Sequence, residues 1–318
     1  MSWGKRVVGT LIGLVVFGGG FVFPQRPPSA VSSSQQEEVR LGTIGVNLPI
    51  AVFDKDGRPV TDLTVEDFEV REDGVPQRIL SFSKENELPL SVALVMDTSN
   101  SVRPKLKFEK EATIAFLDGI IRPKKDRALF VTFGSVIELH QDFTDDVEEL
   151  KAAIQAVKAG GATPLYDALY RVIEEKMTMA SGRRVLVLIS DGEDNASERT
   201  LEEVIELAQR TEVVIYAIGT AHAGGFGVTM GMVDAPGTKE LRRIAEETGG
   251  RAFFPQKALD LERNFSDISM ELRSQYYLFY VSSNQNRDGR FRKIEVRIPG
   301  RKDLRARTRR GYRAPQAS

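Results

Sequence analysis

The sequence predicts a doubly wound α/β domain with a mostly parallel sheet, inserted into a small β-sandwich that N- and C-terminal strands form. Two Val/Leu/Ile-rich runs, 91–96 and 184–190, are typical of strands buried on both faces. Segments with helical spacing alternate with strand-like runs between them, as in other α/β folds. Near both ends of the chain, apolar and polar residues instead alternate with a period of two, which predicts half-buried strands.

Composition excludes several classes of function. The chain has 318 residues and a formal net charge of -1, so no overall charge favours nucleic acid. It has no cysteine and two histidines, which argues against zinc–thiolate sites, His-rich metal clusters and a Ser-His-Asp triad. His140 lies in a strand-like stretch, where a structural role is expected, and His222 lies in a Gly-rich loop without an evident partner.

The N-terminal segment has the features of an export signal. Lys5 and Arg6 precede an apolar stretch, 7–23, and a Pro/Ser-rich linker follows. The stretch has 17 residues, fewer than the about 20 that usually span a bilayer, and contains three consecutive glycines. We expect residues 1–24 to be either a cleaved signal peptide or a signal-anchor helix, and 25–40 to be a disordered linker. The basic start predicts that the rest of the chain is exported.

The flanking strands predict one β-sandwich built from two separate segments of the chain. The N-terminal segment is expected at 41–86, where apolar residues alternate from Ile44 to Val52. The C-terminal segment is expected at 274–313, from YYLFYV and FRKIEVRI, and 314–318 is a tail. The N-terminal segment is too short to form a good core alone, so we expect the two segments to pack together.

Between these segments, 88–273 is predicted to contain the alternating helices and strands. The expected helices lie near 105–121, 146–157, 164–173, 200–210, 238–248 and 257–273, and the further strands at 127–133, 136–140, 213–218 and 251–254. Asp145 is the expected cap of the second helix, Thr163-Pro164 is expected to begin the third, and Thr200 with Glu203 predicts a capping box for the fourth.

Five side chains with hard oxygens stand where apolar runs meet polar loops: Asp97, Ser99, Ser101, Thr163 and Asp191. Because parallel strands end at one edge of the sheet, we expect these oxygens to converge there. Together they suit Mg²⁺ or Mn²⁺. The alternative is that the serines and Thr163 are only loop and helix-cap residues.

The pattern Asp-x-Ser-x-Ser, a distant Thr and a distant Asp resembles the metal-ion-dependent adhesion site (MIDAS) of von Willebrand factor A (VWA) domains. Residues 88–273 resemble one complete domain of this Rossmann-like family. The stretches KDGRPVTDLTVEDFEVREDG, LRSQYYLFYV and DGRFRKIEVRIPGRKDLRARTRRGY are similar to an acidobacterial-type VWFA-related subfamily.

The resemblance implies a role for each residue of the pattern. Ser99 and Ser101 would bind the ion directly, Thr163 directly or through water, and Asp97 and Asp191 largely through water. A partner protein's Asp or Glu would complete the coordination. The implied protein is a non-enzymatic bacterial envelope or periplasmic protein for adhesion or complex assembly, held in the membrane by its N-terminal segment or secreted after cleavage. No feature of the sequence indicates an oligomeric state.

Two other classes of function compete with this interpretation. A haloacid-dehalogenase-like phosphatase also has an Asp after its first strand, but Ser99 stands where its second Asp is expected. A metal-independent structural envelope protein is suggested by 287–313, which has twelve basic and three acidic residues. This segment would either contact anionic lipid or cell wall, or be a solvated strand face, and the second is favoured. The Gly225-x-Gly227 loop lacks a dinucleotide-binding context, and no P-loop motif is present.

Overall fold

The computed structural model describes residues 43–84, 88–220, 237–256 and 258–316. The strands are β1 (Gly45–Phe53), β2 (Glu69–Glu72), β3 (Val75–Gln77), β4 (Ile79–Lys84), β5 (Leu90–Asp97), β6 (Arg127–Phe133), β7 (Ile137–Thr144), β8 (Arg183–Ser190), β9 (Val213–Gly219), β10 (Ala252–Phe253), β11 (Tyr276–Val281), β12 (Phe291–Arg297), β13 (Arg305–Arg307) and β14 (Gly311–Arg313). The helices are α1 (Leu106–Ile120), α2 (Val147–Ala156), α3 (Leu165–Val172), α4 (Leu201–Arg210), α5 (Thr238–Thr248) and α6 (Ala258–Arg273).

The central sheet has the order β10-β9-β8-β5-β6-β7, and β7 alone of these strands runs antiparallel to its neighbour. Side chains of β5 alternate between two cores. Val92 and Leu94 pack on one side of the sheet, and Ala93 and Val95 on the other. Burial on both faces explains the continuous apolar run in the sequence. The predicted doubly wound, mostly parallel sheet is confirmed.

Two antiparallel sheets surround a third core. One has the order β13-β1-β11-β4 and the other β14-β12-β2-β3. Leu48 and Ile50 of β1 meet Leu278 and Tyr280 of β11 in this core, and all four are at most 1% exposed. Because β4 precedes the central sheet and β11 follows it, the α/β region is inserted between strands of the two antiparallel sheets, as predicted.

The first residues of two helices test the predicted caps. The capping box of Thr200 and Glu203 is present at α4. The expected cap of α2, Asp145, is wrong by one residue. Asp146 caps this helix by accepting the N–H two residues further on, whereas Asp145 accepts the N–H of Lys124 at 2.8 Å. Two adjacent aspartates offer the same capping chemistry, and the fold assigns one of them to a neighbouring loop.

The C-terminal basic residues are mostly exposed, as expected of a solvated strand face, but Arg292, Arg307 and Arg309 are buried or half-buried exceptions. Arg309 is buried, and it donates to the carbonyl oxygens of Gln209 at 3.1 Å and Asn47 at 2.8 Å. Other arginines pair with carboxylates on helices of the α/β region: Arg307 with Glu271, Arg310 with Glu246 and Arg313 with Glu206. Arg305 is exposed. These contacts join the antiparallel sheets to the inserted α/β region.

Several sequence predictions lie outside the described residues. These are the N-terminal apolar segment, the linker that follows it, His222 and the Gly225-x-Gly227 loop. Among the helices in the described ranges, none combines the length and apolar character needed to cross a membrane.

Candidate metal centre

The carboxyl edge of the central sheet brings two acidic residues into one region. Asp97 is the last residue of β5, and Asp191 follows Ser190, the last residue of β8. The two strands are parallel neighbours, with Met96 paired to Ile189. The backbone therefore leaves β5 and β8 at the same edge of the sheet, which is where open α/β sheets bind ligands.

The carboxylate of Asp97 is fully buried and is held from two sides. Oδ1 accepts the N–H of Ser99 at 2.8 Å, and Oδ2 accepts the Ser190 hydroxyl at 2.9 Å. Burial raises the pKa of Asp97 to about 6, and the charge of Asp191 adds to this rise, whereas the bonds from Ser99 and Ser190 oppose it. Ser190 is not among the predicted site residues, although it directly precedes one of them.

The two serine hydroxyls connect this buried carboxylate region to the surface. Ser99 Oγ and Ser101 Oγ lie 2.9 Å apart, and the Ser101 hydroxyl donates to Asp191 Oδ2 at 2.6 Å. A 3₁₀ turn over Asn100–Val102 brings the hydroxyls together. Ser99 is buried, Ser101 is exposed and Asp191 is half-buried. One end of the cluster is therefore accessible from solvent.

Thr163 is held against the loop that begins at Asp191. Its N–H donates to Asn195 Oδ1 at 3.0 Å, and the N–H of Asn195 donates to the carbonyl oxygen of Thr163 at 3.1 Å. Thr163 is 4% exposed. The structure thus brings the segment carrying Thr163 to the Asp191 loop, and Asn195, which was not among the predicted site residues, makes both of these bonds.

The Gly-rich loop before Thr163 contacts the Asp-x-Ser-x-Ser segment. The N–H of Gly160 donates to the carbonyl oxygen of Thr98 at 2.6 Å. Gly161 has a φ of +108°, and a Cβ on this residue would lie 2.0 Å from the backbone nitrogen of Ser135. Only glycine fits this position without moving the backbone, so the loop is fixed beside the candidate site.

Asp194 has a role in the same region that the sequence did not reveal. Helix α3 begins at Leu165 and not at Pro164, so the expected N-cap Thr163 is wrong by one residue. Pro164 offers no side-chain oxygen as a cap. Asp194 Oδ1 instead accepts the N–H groups of Leu165 at 2.8 Å and Tyr166 at 3.3 Å. Asp194 thus caps this helix from a distant region of the chain.

The available donor atoms fit a small, hard divalent cation. In the described ranges of the chain, no group of three or more His, Cys, Asp or Glu is arranged to hold a metal ion, so a site here would depend on hydroxyls. Oxygen ligands without nitrogen or sulfur suit Mg²⁺ or Mn²⁺ better than Zn²⁺. Adjacent octahedral ligands about 2.1 Å from Mg²⁺ lie about 3.0 Å apart, and the two serine oxygens are separated by 2.9 Å.

His140 has the structural role expected of it. Its Nε2 lies 2.8 Å from the hydroxyl oxygen of Thr132, and its ring lies against Phe130 with centroids 5.5 Å apart. These two contacts join His140 of β7 to the neighbouring strand β6.

Comparison with known proteins agrees with the α/β fold described above. A family model described as the von Willebrand factor type A domain matches residues 91–267. No curated protein matches the sequence. Among solved structures, proximal thread matrix protein 1 from the mussel byssus is 20% identical with a TM-score of 0.50, and the match covers 64% of this chain and 51% of that chain. This chain therefore spans about half the length of the mussel protein.

Two further structures have lower scores. The same mussel protein with a zinc-occupied MIDAS motif is 21% identical with a TM-score of 0.49, and the match covers 62% of this chain and 48% of that chain. The conserved hypothetical protein BatB from Bacteroides thetaiotaomicron is 16% identical with a TM-score of 0.44, and the match covers 58% of this chain and 100% of that chain. Similarity at these identities concerns the fold alone.

Proposed function

The chain belongs to the von Willebrand factor type A domain family, and from this membership we propose that it binds another protein through a divalent cation at the carboxyl edge of its central sheet. The observation that carries the proposal is the continuous set of oxygens formed by Ser99, Ser101 and Asp191, with contacts of 2.9 and 2.6 Å. The exposed end of this set is accessible to a partner's side chain.

Each predicted residue has a distinct proposed role. Ser99 and Ser101 would bind the ion through their hydroxyls, and Thr163 would bind directly or through water. Asp97 and Asp191 would balance its charge, largely through water. The ion would supply a positive charge with a ligand position for an external carboxylate. Since the hydroxyls are neutral, the site would retain an attraction for a partner's Asp or Glu. We propose Mg²⁺ or Mn²⁺ because the donor set contains neither histidine nor cysteine.

A phosphatase role is disfavoured by the surroundings of Asp97. A nucleophilic aspartate needs an accessible oxygen, but this side chain is 0% exposed. Both of its oxygens accept hydrogen bonds, from Ser99 and Ser190. We therefore propose that the protein acts in adhesion or complex assembly and not as an enzyme. The bonds that Arg307 and Arg309 make within the protein leave these two arginines unavailable to an anionic lipid surface.

The proposed location is the bacterial cell envelope or periplasm. We propose that residues 1–24 direct export, either as an anchor or as a cleaved signal, and that 25–40 link this segment to the fold. The β-sandwich would be formed by 41–86 and 274–313 around a VWA domain at 88–273. The flanking motifs support membership of the acidobacterial-type VWFA-related subfamily as a finer assignment.

A calorimetric titration of the full chain with MgCl₂ and MnCl₂ tests the cation site. We expect one ion per chain, and Asp191→Asn should lower the affinity at least about tenfold, as loss of a water-mediated partner of a metal does elsewhere. Glu193→Gln is the matched control, because this exposed acid lies on the same loop. Failure of the wild type to bind an ion, or equal binding by Asp191→Asn, would overturn the proposal.

Binding to a partner is tested separately. The full chain, immobilised, is incubated with envelope proteins in Mg²⁺ or in chelator. We expect a retained protein that chelator releases and that neither Asp97→Ala nor Asp191→Asn retains, whereas Glu193→Gln does. Retention that is indifferent to chelator and to both substitutions would contradict the metal-bridged mechanism.

A further inference from the structure

Glu109 is a buried acid on the first turn of α1, the helix that follows the Asp-x-Ser-x-Ser segment. Its side chain is 1% exposed. Neither carboxylate oxygen has a hydrogen-bond partner among the residues that the structure describes. Burial of an ionised carboxylate without a partner is strongly unfavourable. The folded protein therefore tolerates Glu109 best when this group is neutral.

The surroundings of Glu109 connect it to the candidate metal centre. Thr220, directly after β9, has a buried hydroxyl near the carboxyl group, but the two do not meet the geometry of a hydrogen bond. Lys105, the N-cap residue directly before α1, donates from Nζ to the carbonyl oxygen of Thr220. The other charged groups that act on Glu109 are Asp97 at the end of β5 and Asp191 after β8.

These surroundings keep the carboxyl group of Glu109 protonated near neutral pH. Burial raises the pKa of Glu109 to about 8, and the negative charges of Asp97 and Asp191 contribute to the rise. The positive charge of Lys105 acts in the opposite direction and lowers the pKa. The two aspartates that disfavour ionisation of Glu109 are the ones that a divalent cation would neutralise.

We propose that Glu109 is a third acidic group of the metal site, one that does not touch the ion but releases its proton to solvent when the ion binds. The inference rests on the proposed cation site. A cation beside Asp97 and Asp191 would neutralise the negative field that these two aspartates create at Glu109. By linkage, an ion that favours the ionised form of Glu109 is itself bound more tightly by that form. Cation binding is then coupled to pH through a residue outside the coordination sphere.

The test is a calorimetric titration of the full chain with MgCl₂ near pH 7, in two buffers of different ionisation enthalpy, which gives the number of protons released. Glu109→Gln keeps the shape of the protonated acid and cannot ionise. Glu111→Gln is the matched control, because this residue is on the same helix but is exposed. The affinity is measured again at about pH 6.5 and about pH 8.5.

We expect the wild type and Glu111→Gln to release a measurable fraction of a proton per ion, and Glu109→Gln to release far less. The affinity of the wild type should rise about tenfold between the two pH values, and that of Glu109→Gln should be nearly constant. Equal proton release by wild type and Glu109→Gln would overturn this inference alone. A Glu109→Gln protein that fails to fold would also overturn it, since glutamine mimics the neutral acid. A wild type that binds no ion would overturn the proposed function together with the inference.

Discussion

Glu72 and Glu109 are equally buried but have opposite surroundings. Glu72, 2% exposed in the core between the antiparallel sheets, accepts the hydroxyls of Tyr280 and Tyr312 at 2.9 and 3.0 Å, with further bonds from Ser282 and Arg292. Glu109, 1% exposed on the first turn of α1, has no hydrogen-bond partner among the described residues. A buried carboxylate whose oxygens are all hydrogen-bonded stabilises the fold. A buried carboxylate without partners, near a candidate metal centre, indicates a role in the cation-bound protein.

The largest change in the free energy of unfolding is expected from removing a hydrogen-bond partner of Glu72. Arg292→Met leaves Glu72 buried without its cationic partner, and removal of one member of a buried ion pair costs about 3–5 kcal/mol. The free energy of unfolding, measured with urea, should fall by that amount. Lys293→Met is the matched control, since the next residue of β12 is exposed. A loss below about 1 kcal/mol for Arg292→Met would show that the buried ion pair between Arg292 and Glu72 does not stabilise the fold.

A substitution in the unsatisfied acid should have the opposite sign. In the absence of metal, the unfolded chain releases the Glu109 proton near its usual pKa of 4.5, whereas the folded protein keeps it up to about 8. The contribution of Glu109 to stability therefore falls as pH rises through this window and is constant above it. Glu109→Gln should be more stable than the wild type by about 3 kcal/mol at pH 7.

The pH dependence distinguishes this effect from a change in packing. Urea unfolding at about pH 5 and about pH 8 should show the advantage of Glu109→Gln growing with pH. Glu111→Gln should show no such growth. A Glu109→Gln protein whose stability relative to the wild type is the same at both pH values would contradict the assignment of Glu109 as a neutral buried acid.

A smaller effect is expected at the loop that carries the candidate site. Asp194→Ala removes the side-chain cap of α3 and should cost about 1 kcal/mol of unfolding free energy, as the loss of other helix caps does. Glu193→Ala, on the same loop, should change the stability by less than about 0.5 kcal/mol because the residue is exposed. Equal effects of the two substitutions would show that the bonds from Asp194 to Leu165 and Tyr166 contribute nothing.

The sequence was sufficient to predict that Asp97 and Asp191 lie at the same edge of the central sheet. Each follows an apolar run long enough to be a buried strand, and neighbouring parallel strands end at one edge. The same reasoning predicted the inserted α/β region and the pairing of strands from the two ends. These features depend on local periodicity, which one sequence contains.

Contacts between distant residues could not be predicted in this way. Asp194 caps a helix 29 residues earlier in the chain, and Ser190 reaches Asp97 across 93 positions. Arg309 looked like a member of an exposed strand face because its partners, Asn47 and Gln209, belong to elements far from it in sequence. The sequence around such a residue does not distinguish it from other residues of the same type that make no distant contact.

Glu109 was overlooked although the sequence contains a signal for it. Leu106, Glu109, Thr113 and Phe116 are spaced by three or four residues, so they lie on one face of α1. Since Leu106 and Phe116 are core residues, the acid between them interrupts a buried face. A charged residue at such a position is rarely fully buried unless it is paired.

The most direct test of the cation site is anomalous diffraction from crystals of the full chain soaked in MnCl₂. The proposal predicts one manganese peak within about 2.2 Å of Ser99 Oγ and Ser101 Oγ, with Asp97 and Asp191 around it. Manganese bound elsewhere, with no peak in contact with these two hydroxyls, would contradict the central claim.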